Sequence, residues 1–198
     1  MELHEALLSR RTVYKFEERP VPEEILQRAL DAARWAPNHR MTEPWRFVIV
    51  GPETRLRLGG VAERLALVKA GSMPLEERER QVRRATEKVT KLPALVVIAC
   101  ARSPEDALQG PEDYAAAACA AQNLQLSLWA DGVGCQWGTG GVTRDDESYA
   151  ILGIDKAAYE IRYELADSTL AVEVSDEGGG FDPGYKQKPT RAPGAGCC

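Results

Sequence analysis

An α+β fold, a central mixed sheet sandwiched between helices, is what this sequence predicts, and three observations predict it. Two short apolar runs, Phe47 to Val50 and Leu95 to Cys100, read as strands. Amphipathic helical patterns lie before and between them. The longest helix, Glu112 to about Asp131, is built around Tyr-Ala-Ala-Ala-Ala-Cys-Ala-Ala and is small on nearly every side, so it should lie buried at the centre of the fold, with close approach open from several sides as a dimer would use. At 198 residues the chain can bury a core without disulfide staples, and one domain is expected.

Taken in order, Pro22 opens a helix in which Ile25, Leu26, Ala29, Leu30 and Ala33 share one face, and the helix runs to about Trp35 before Pro37 stops it. Phe47 to Val50 is a strand closed by Gly51-Pro52. Glu53 to Ala70 is a second amphipathic helix, and Glu76 to Lys91 a heavily charged one with a solvated face. Pro93 introduces Leu95 to Cys100, apolar on both faces and therefore central in the sheet. Gly132-Val133-Gly134 ends the alanine-rich helix, and Cys135-Gln136-Trp137-Gly138-Thr139-Gly140-Gly141 follows as a glycine-rich turn where backbone can approach a ligand.

The formal charge of -5 argues against a general nucleic-acid or anionic-membrane binder. There is no apolar run of the ~20 residues that a membrane span needs, and the acidic start Met1-Glu2-Leu3-His4-Glu5 is unlike a signal peptide, so a cytoplasmic protein is expected. Five cysteines, an odd count, fit a reducing compartment. Cys100, Cys119 and Cys135 read as small core residues, because no C-x-x-C spacing or neighbouring histidine accompanies them. With two histidines in the chain, neither a metal-ligand cluster nor a Ser-His-Asp arrangement is recognisable.

Local basic residues therefore need local reasons. Arg10 and Arg11 are always-charged forks and Thr12 adds a hydroxyl, a donor set suited to a phosphate, although a surface pair with Thr12 as a helix cap remains open. Asn38 and His39 follow a helix-stopping Ala36-Pro37, where chain ends face a cleft; a structural histidine is the alternative. Trp35 and Trp45 read as core or dimer-packing residues.

Three of these segments in order, R-R-[ST]-x-x-x-F at Arg10 to Phe16, A-P-x-H-x-x-x-x-P-W at Ala36 to Trp45, and the alanine-rich helix feeding G-x-G-x-x-W at Gly132 to Trp137, resemble the FMN-dependent nitroreductase family over residues 1 to about 161. The form with Ala-Pro-Asn-His is closer to its compact branch, and the commoner pattern has Asn at the place of Met41 and Gln at that of Glu43. The resemblance implies a homodimer that binds FMN through Arg10, Arg11, Thr12, Asn38, His39, Trp137, Gly138 and Thr139. It also implies that nicotinamide of NADH or NADPH lies at Ser127, Leu128, Trp129, Ala130, Asp131 and Gly132. No catalytic side chain is implied, since flavin carries the chemistry, passing hydride to a small-molecule acceptor such as a nitroaromatic, a quinone or an enone.

After Ile161 the pattern changes. Tyr163, Leu165, Leu170, Val172 and Val174 alternate like a hairpin around Asp167-Ser168, a segment 162–183 replacing the family's final strand. Asp176 to Pro183 resembles the D-x-G-x-G box of histidine-kinase-like ATPases, as a chimera would, and the Gly-, Pro- and Lys-rich stretch 184–198 reads as a disordered tail. Three readings thus stand at this level: a flavin oxidoreductase, a nucleotide-binding regulatory module, and a nitroreductase-like shell without flavin.

Overall fold

The computed structural model describes residues 1–169, with the side chains of 163–169 left aside. Its elements are α1 (Leu3–Ser9), α2 (Glu23–Arg34), β1 (Trp45–Ile49), α3 (Pro52–Ala70), α4 (Leu75–Thr90), β2 (Ala94–Ala101), α5 (Gln109–Ala130), β3 (Val133–Gly138), α6 (Asp146–Leu152) and β4 (Tyr159–Thr169). The four strands form one sheet in the order β1-β2-β4-β3, every pair antiparallel. The expected mixed character reduces to an isolated parallel bridge between Thr12 and Cys135.

Strand β2 explains the layering. Its successive side chains point to opposite faces of the sheet. Val96 and Ile98 join one core with Ala29 and Ala33 of α2 and Ala120, Ala121, Leu124 and Leu128 of α5. Leu95, Val97 and Ala99 join the other, with Leu58 and Ala62 of α3, Val89 of α4, Tyr149 of α6 and Ile161 of β4. A strand buried on both faces must be apolar throughout, and β2 is.

Helix α5 buries a single stripe, Asp113, Ala116, Ala117, Ala120, Ala121, Leu124 and Leu128, at helical spacing. Its other side is open: Cys119 is exposed and Tyr114 is partly so. Cys119 therefore departs from the expected core role, whereas Cys100 and Cys135 are buried. Charged α4 contributes one buried residue, Val89, and packs on α3 on the sheet face opposite α5.

Two expectations are corrected at the end of the sheet. Cys135 to Gly138 are strand β3 rather than a turn, because β4 offers them a ladder; only the bend at Gly132, with φ 77°, needs the glycine that precedes them. Asp167 and Ser168 form no hairpin turn either. Asp167 pairs with Ala94 on one side and Cys135 on the other, and Ser168 with Gly134, since β4 fills the gap between β2 and β3 and is laddered along both edges. The proposed Asp176 box, Leu170 to Val174 and the stretch 184–198 lie outside the described residues.

Gly59, inside α3, is there for space rather than conformation. A Cβ at this position would stand 2.5 Å from Thr90 Cγ2, and Thr90 is held by its hydroxyl donating to the Thr86 carbonyl at 3.0 Å. Gly59→Ala gains up to about 1 kcal/mol of helix propensity but overpacks by roughly 1–3 kcal/mol. Net destabilisation is expected in urea unfolding, with recovery in the double variant Gly59→Ala/Thr90→Ser, which removes the colliding methyl. A single Gly59→Ala variant more stable than the parent would refute this packing account.

Candidate functional site

The N-terminal arm reaches the sheet where β3 is its edge. The amide of Val13 donates to the Cys135 carbonyl at 3.1 Å, beside the Thr12–Cys135 bridge, and Trp129 Nε1 donates to Ser9 Oγ at 2.9 Å. These contacts set Arg10, Arg11 and Thr12 alongside the strand that leads to Trp137, Gly138 and Thr139. Arg10 is half-buried and its guanidinium has no ion pair or hydrogen bond among the described residues. Arg11 is exposed and turned back, donating to the carbonyls of Leu8 at 2.8 Å and Arg10 at 2.9 Å. Thr12 is exposed. Two guanidinium groups and a hydroxyl on consecutive residues fit a phosphate dianion, Arg10 as it stands and Arg11 after releasing two carbonyls.

Trp137 packs partly into the α5 core, which leaves the backbone beyond it, Gly138 and Thr139, at the rim. A cavity of about 360 Å³ opens there, lined by Thr139, Arg144 and Lys156 and by Tyr114, over whose ring Arg162 lies 5.1 Å from the centroid. An added Cβ at Gly140 would meet nothing within 4 Å, whereas one at Gly141 would stand 3.2 Å from Leu65 Cδ1, so the turn is open at Gly140 alone of the two.

Asn38 and His39 sit elsewhere, at the N-terminal end of α5. His39 Nδ1 pairs with Glu112 Oε2. Around them the backbone is unusual: Arg40, Met41 and Glu43 all have positive φ, at 60°, 54° and 44°, each costing roughly 1–2 kcal/mol for a residue with a Cβ. Met41 stands where an asparagine would tolerate that conformation better. The turn is tied to α5 through Arg40, which donates to Asp106 Oδ2 at 2.8 Å and Gln109 Oε1 at 3.1 Å, and through Thr42, whose hydroxyl lies 2.7 Å from Asp113 Oδ1. Arg40, with the Leu108 and Gln109 amides, holds the Asp106 carboxyl below its ordinary range. Sequence reading missed Asp106, Gln109 and Asp113; the only signal was a set of polar residues, Gln and Asp, just before and within the first turns of an otherwise alanine-rich helix.

The positions expected to meet nicotinamide lie at the other end of α5. Leu128 is fully buried, and half-buried Trp129 gives its N–H to Ser9, so Leu128 offers no surface and the indole N–H of Trp129 is already engaged. Ser127 and Ala130 are half-buried, as is Gly132, and Asp131 pairs with Arg28 at 3.0 Å. Seventeen residues separate Glu112 from Trp129, about 25 Å at 1.5 Å per residue. Within one chain, the Arg10–Thr12 clamp and the Asn38–His39 pair are therefore held by opposite ends of one helix. Trp35, 88 % exposed, belongs to neither core among the described residues, whereas Trp45 packs against the α5 core.

Residues 7–166 match the model of the nitroreductase family, which carries the match past Ile161 and removes the ground for a chimera with an ATPase there. YfhC of Bacillus subtilis (strain 168), named as a candidate NAD(P)H nitroreductase, is 31% identical over 152 residues, 77% of this chain and 76% of that protein. Among solved structures, a nitroreductase-like family protein from Bacillus cereus superposes with a TM-score of 0.72 at 26% identity, covering 96% of this chain and 92% of its own. A nitroreductase with bound FMN from Bacteroides fragilis gives a TM-score of 0.68 at 24% identity over 100% of this chain and 99% of its own. No helix among the described residues is long and apolar enough to cross a membrane.

Cys100, on β2, is sealed from solvent, and burial, with a further push from the Asp113 charge, raises its thiol pKa from 9.0 to about 11. A thiol raised in the folded state adds stability that is complete below pH 9 and is lost as pH climbs through about 11. The loss amounts to roughly 2–3 kcal/mol. Urea unfolding from pH 8 to 11 should show a steeper decline for the parent than for Cys100→Ala, and alkylation at pH 8 should reach exposed Cys119 but not Cys100 in the native protein. Parallel pH profiles for the two proteins would contradict this.

Proposed function

The chain belongs to the nitroreductase family, and from that premise we propose that it is an FMN-dependent NAD(P)H oxidoreductase whose acceptor is a nitroaromatic, a quinone or an enone. The observation that carries the reading is the strap of the N-terminal arm onto β3 at Cys135, which brings an uncompensated Arg10 and the Thr12 hydroxyl to the strand that leads to the Trp137–Thr139 segment. When bound, FMN supplies the two-electron hydride chemistry.

The chain's own residues bind and orient. Arg10 and Arg11 hold the phosphate by charge-assisted hydrogen bonds, with Thr12 donating a third. The backbone of Gly138 and Thr139 borders the ring, in a site that needs placement rather than a catalytic acid. Asn38 and His39 complete the site from a second copy of the chain. What supports this is their tie to the far end of α5, about 25 Å along the axis from the clamp, together with the open side of α5 at Cys119 and the exposed Trp35. Of the six positions proposed for nicotinamide, all but the buried Leu128 have surface to offer.

Purified protein should be yellow, with a flavin absorption band removable by denaturation; colourless protein that takes up no added FMN would sink the assignment. Loss of one charge-assisted phosphate contact costs about 1.5–3 kcal/mol, so Arg10→Ala and Arg11→Ala should each weaken FMN binding ten-fold or more. If both variants keep the parental Kd, the clamp lies elsewhere.

Division of the site between two copies has its own test. Arg10→Ala and His39→Ala homodimers should each bind flavin poorly, but after mixing and subunit exchange heterodimers carry one intact site each, restoring roughly a quarter of all sites. No gain in high-affinity sites on mixing exchanged subunits would place both halves of the site in one chain.

A further inference from the structure

We infer that Asp113 is the positioning residue for the Asn38–His39 pair, acting through Thr42 on one side of a strained turn and through Gln109 and Arg40 on the other; this rests on the reading that the pair contacts FMN. Asp113 is 2 % exposed, and three donors converge on its carboxyl group: Thr42 Oγ1 at 2.7 Å, Ser103 Oγ at 2.8 Å and Gln109 Nε2 at 2.7 Å. A buried carboxylate is costly unless each oxygen finds such partners. Here they come from three places, the turn after α2, the segment after β2, and α5 itself.

The carboxylate thus grips the turn on both sides of Met41. Thr42 is bonded directly, and Arg40 is bonded through Gln109, which spends its N–H on Asp113 and its carbonyl on Arg40. Three residues of this turn, Arg40, Met41 and Glu43, have positive φ, a conformation kept only where the surroundings over-determine it. The connections also reach the binding pair. Thr42 Oγ1 stands as donor between two acceptors, Asn38 Oδ1 at 2.9 Å and Asp113 Oδ1 at 2.7 Å. The carboxylate is the closer and stronger acceptor, so it fixes the hydroxyl on which Asn38 Oδ1 rests and thereby seats the Asn38 side chain. His39 is fixed in turn by Glu112, the residue next to Asp113. Asn38 and His39 leave α2 in one direction because a carboxylate beneath the turn holds it so, and binding groups fixed beforehand cost less to order when ligand arrives.

The experiment is FMN titration of the apoprotein followed by flavin fluorescence, with melting of each apoprotein beside it. Thr42 is exposed, so Thr42→Val keeps the core and removes the hydroxyl; it should weaken FMN binding about ten-fold. Thr42→Ser, which restores the hydroxyl, should return the parental Kd, and Asp113→Asn should weaken binding as Thr42→Val does. A Thr42→Val protein with parental Kd, whatever its melting temperature, overturns the inference, and so does a loss that Thr42→Ser fails to restore. Asn38→Ala and His39→Ala separate this from the underlying reading. If both bind FMN as the parent does, that reading falls and the inference with it; if they bind weakly while Thr42→Val and Asp113→Asn bind normally, the positioning inference alone falls.

Discussion

The close approach of α5 to the sheet is the constraint on which the rest depends. Ala120 and Ala121 share a core with Val96 and Ile98, and Ala116 and Ala117 are buried on the same stripe, so on the helix side little more than methyl groups separates the α5 backbone from what it packs on. A larger side chain at any of these positions would lift the helix. Everything of functional interest is hung on that helix: Glu112 and Asp113 at one end hold the turn after α2, and Trp129 at the other holds the N-terminal arm. The spacing of the two half-sites is thus the length of a rigid rod.

Much of this was legible in the sequence because the relevant signals are periodic. Leu95 to Cys100 is apolar without interruption, and such a run has few fates other than a strand covered on both faces. Alanine recurring through a helix implies close packing, and it is there. Legibility failed where one interaction competes with another at short range. Cys135 to Gly138 contain turn-forming glycine, yet an unpaired edge of β4 next to them turned them into strand. Asp167-Ser168 has turn composition, but a ladder on both sides overrides it. Helix α1 went unread because its leucines face outward and Ala6 alone is buried, so no apolar stripe announces a core.

The candidate site divides in the same way. Its charged anchors, Arg10 and Arg11, and its polar pair, Asn38 and His39, stood out because composition gives them no packing reason. Their supports did not. Asp113 is a single acidic residue near the start of a helix, where acidic residues are common for reasons of helix dipole alone. Only coordinates show it turned inward with three donors around it. Positive φ at Arg40, Met41 and Glu43 is likewise silent in residues that carry no glycine or asparagine signature. Residues that touch a ligand are chosen for their chemistry and show it; residues that aim them are chosen for where they sit.

The strap of the N-terminal arm also bears on when the protein becomes competent during its synthesis. Ser9 and Trp129 stand 120 positions apart, and Thr12 waits for Cys135 a little further on. Contacts so distant in sequence close late, after more local structure has formed. On the ribosome, the two arginines emerge well before β3 and have no strand to lie against until β3 has left the exit tunnel. The proposed clamp is thus made before the strand it lies against, so a growing chain carries Arg10, Arg11 and Thr12 past α2, α3, α4 and α5 without a partner surface on which to set them.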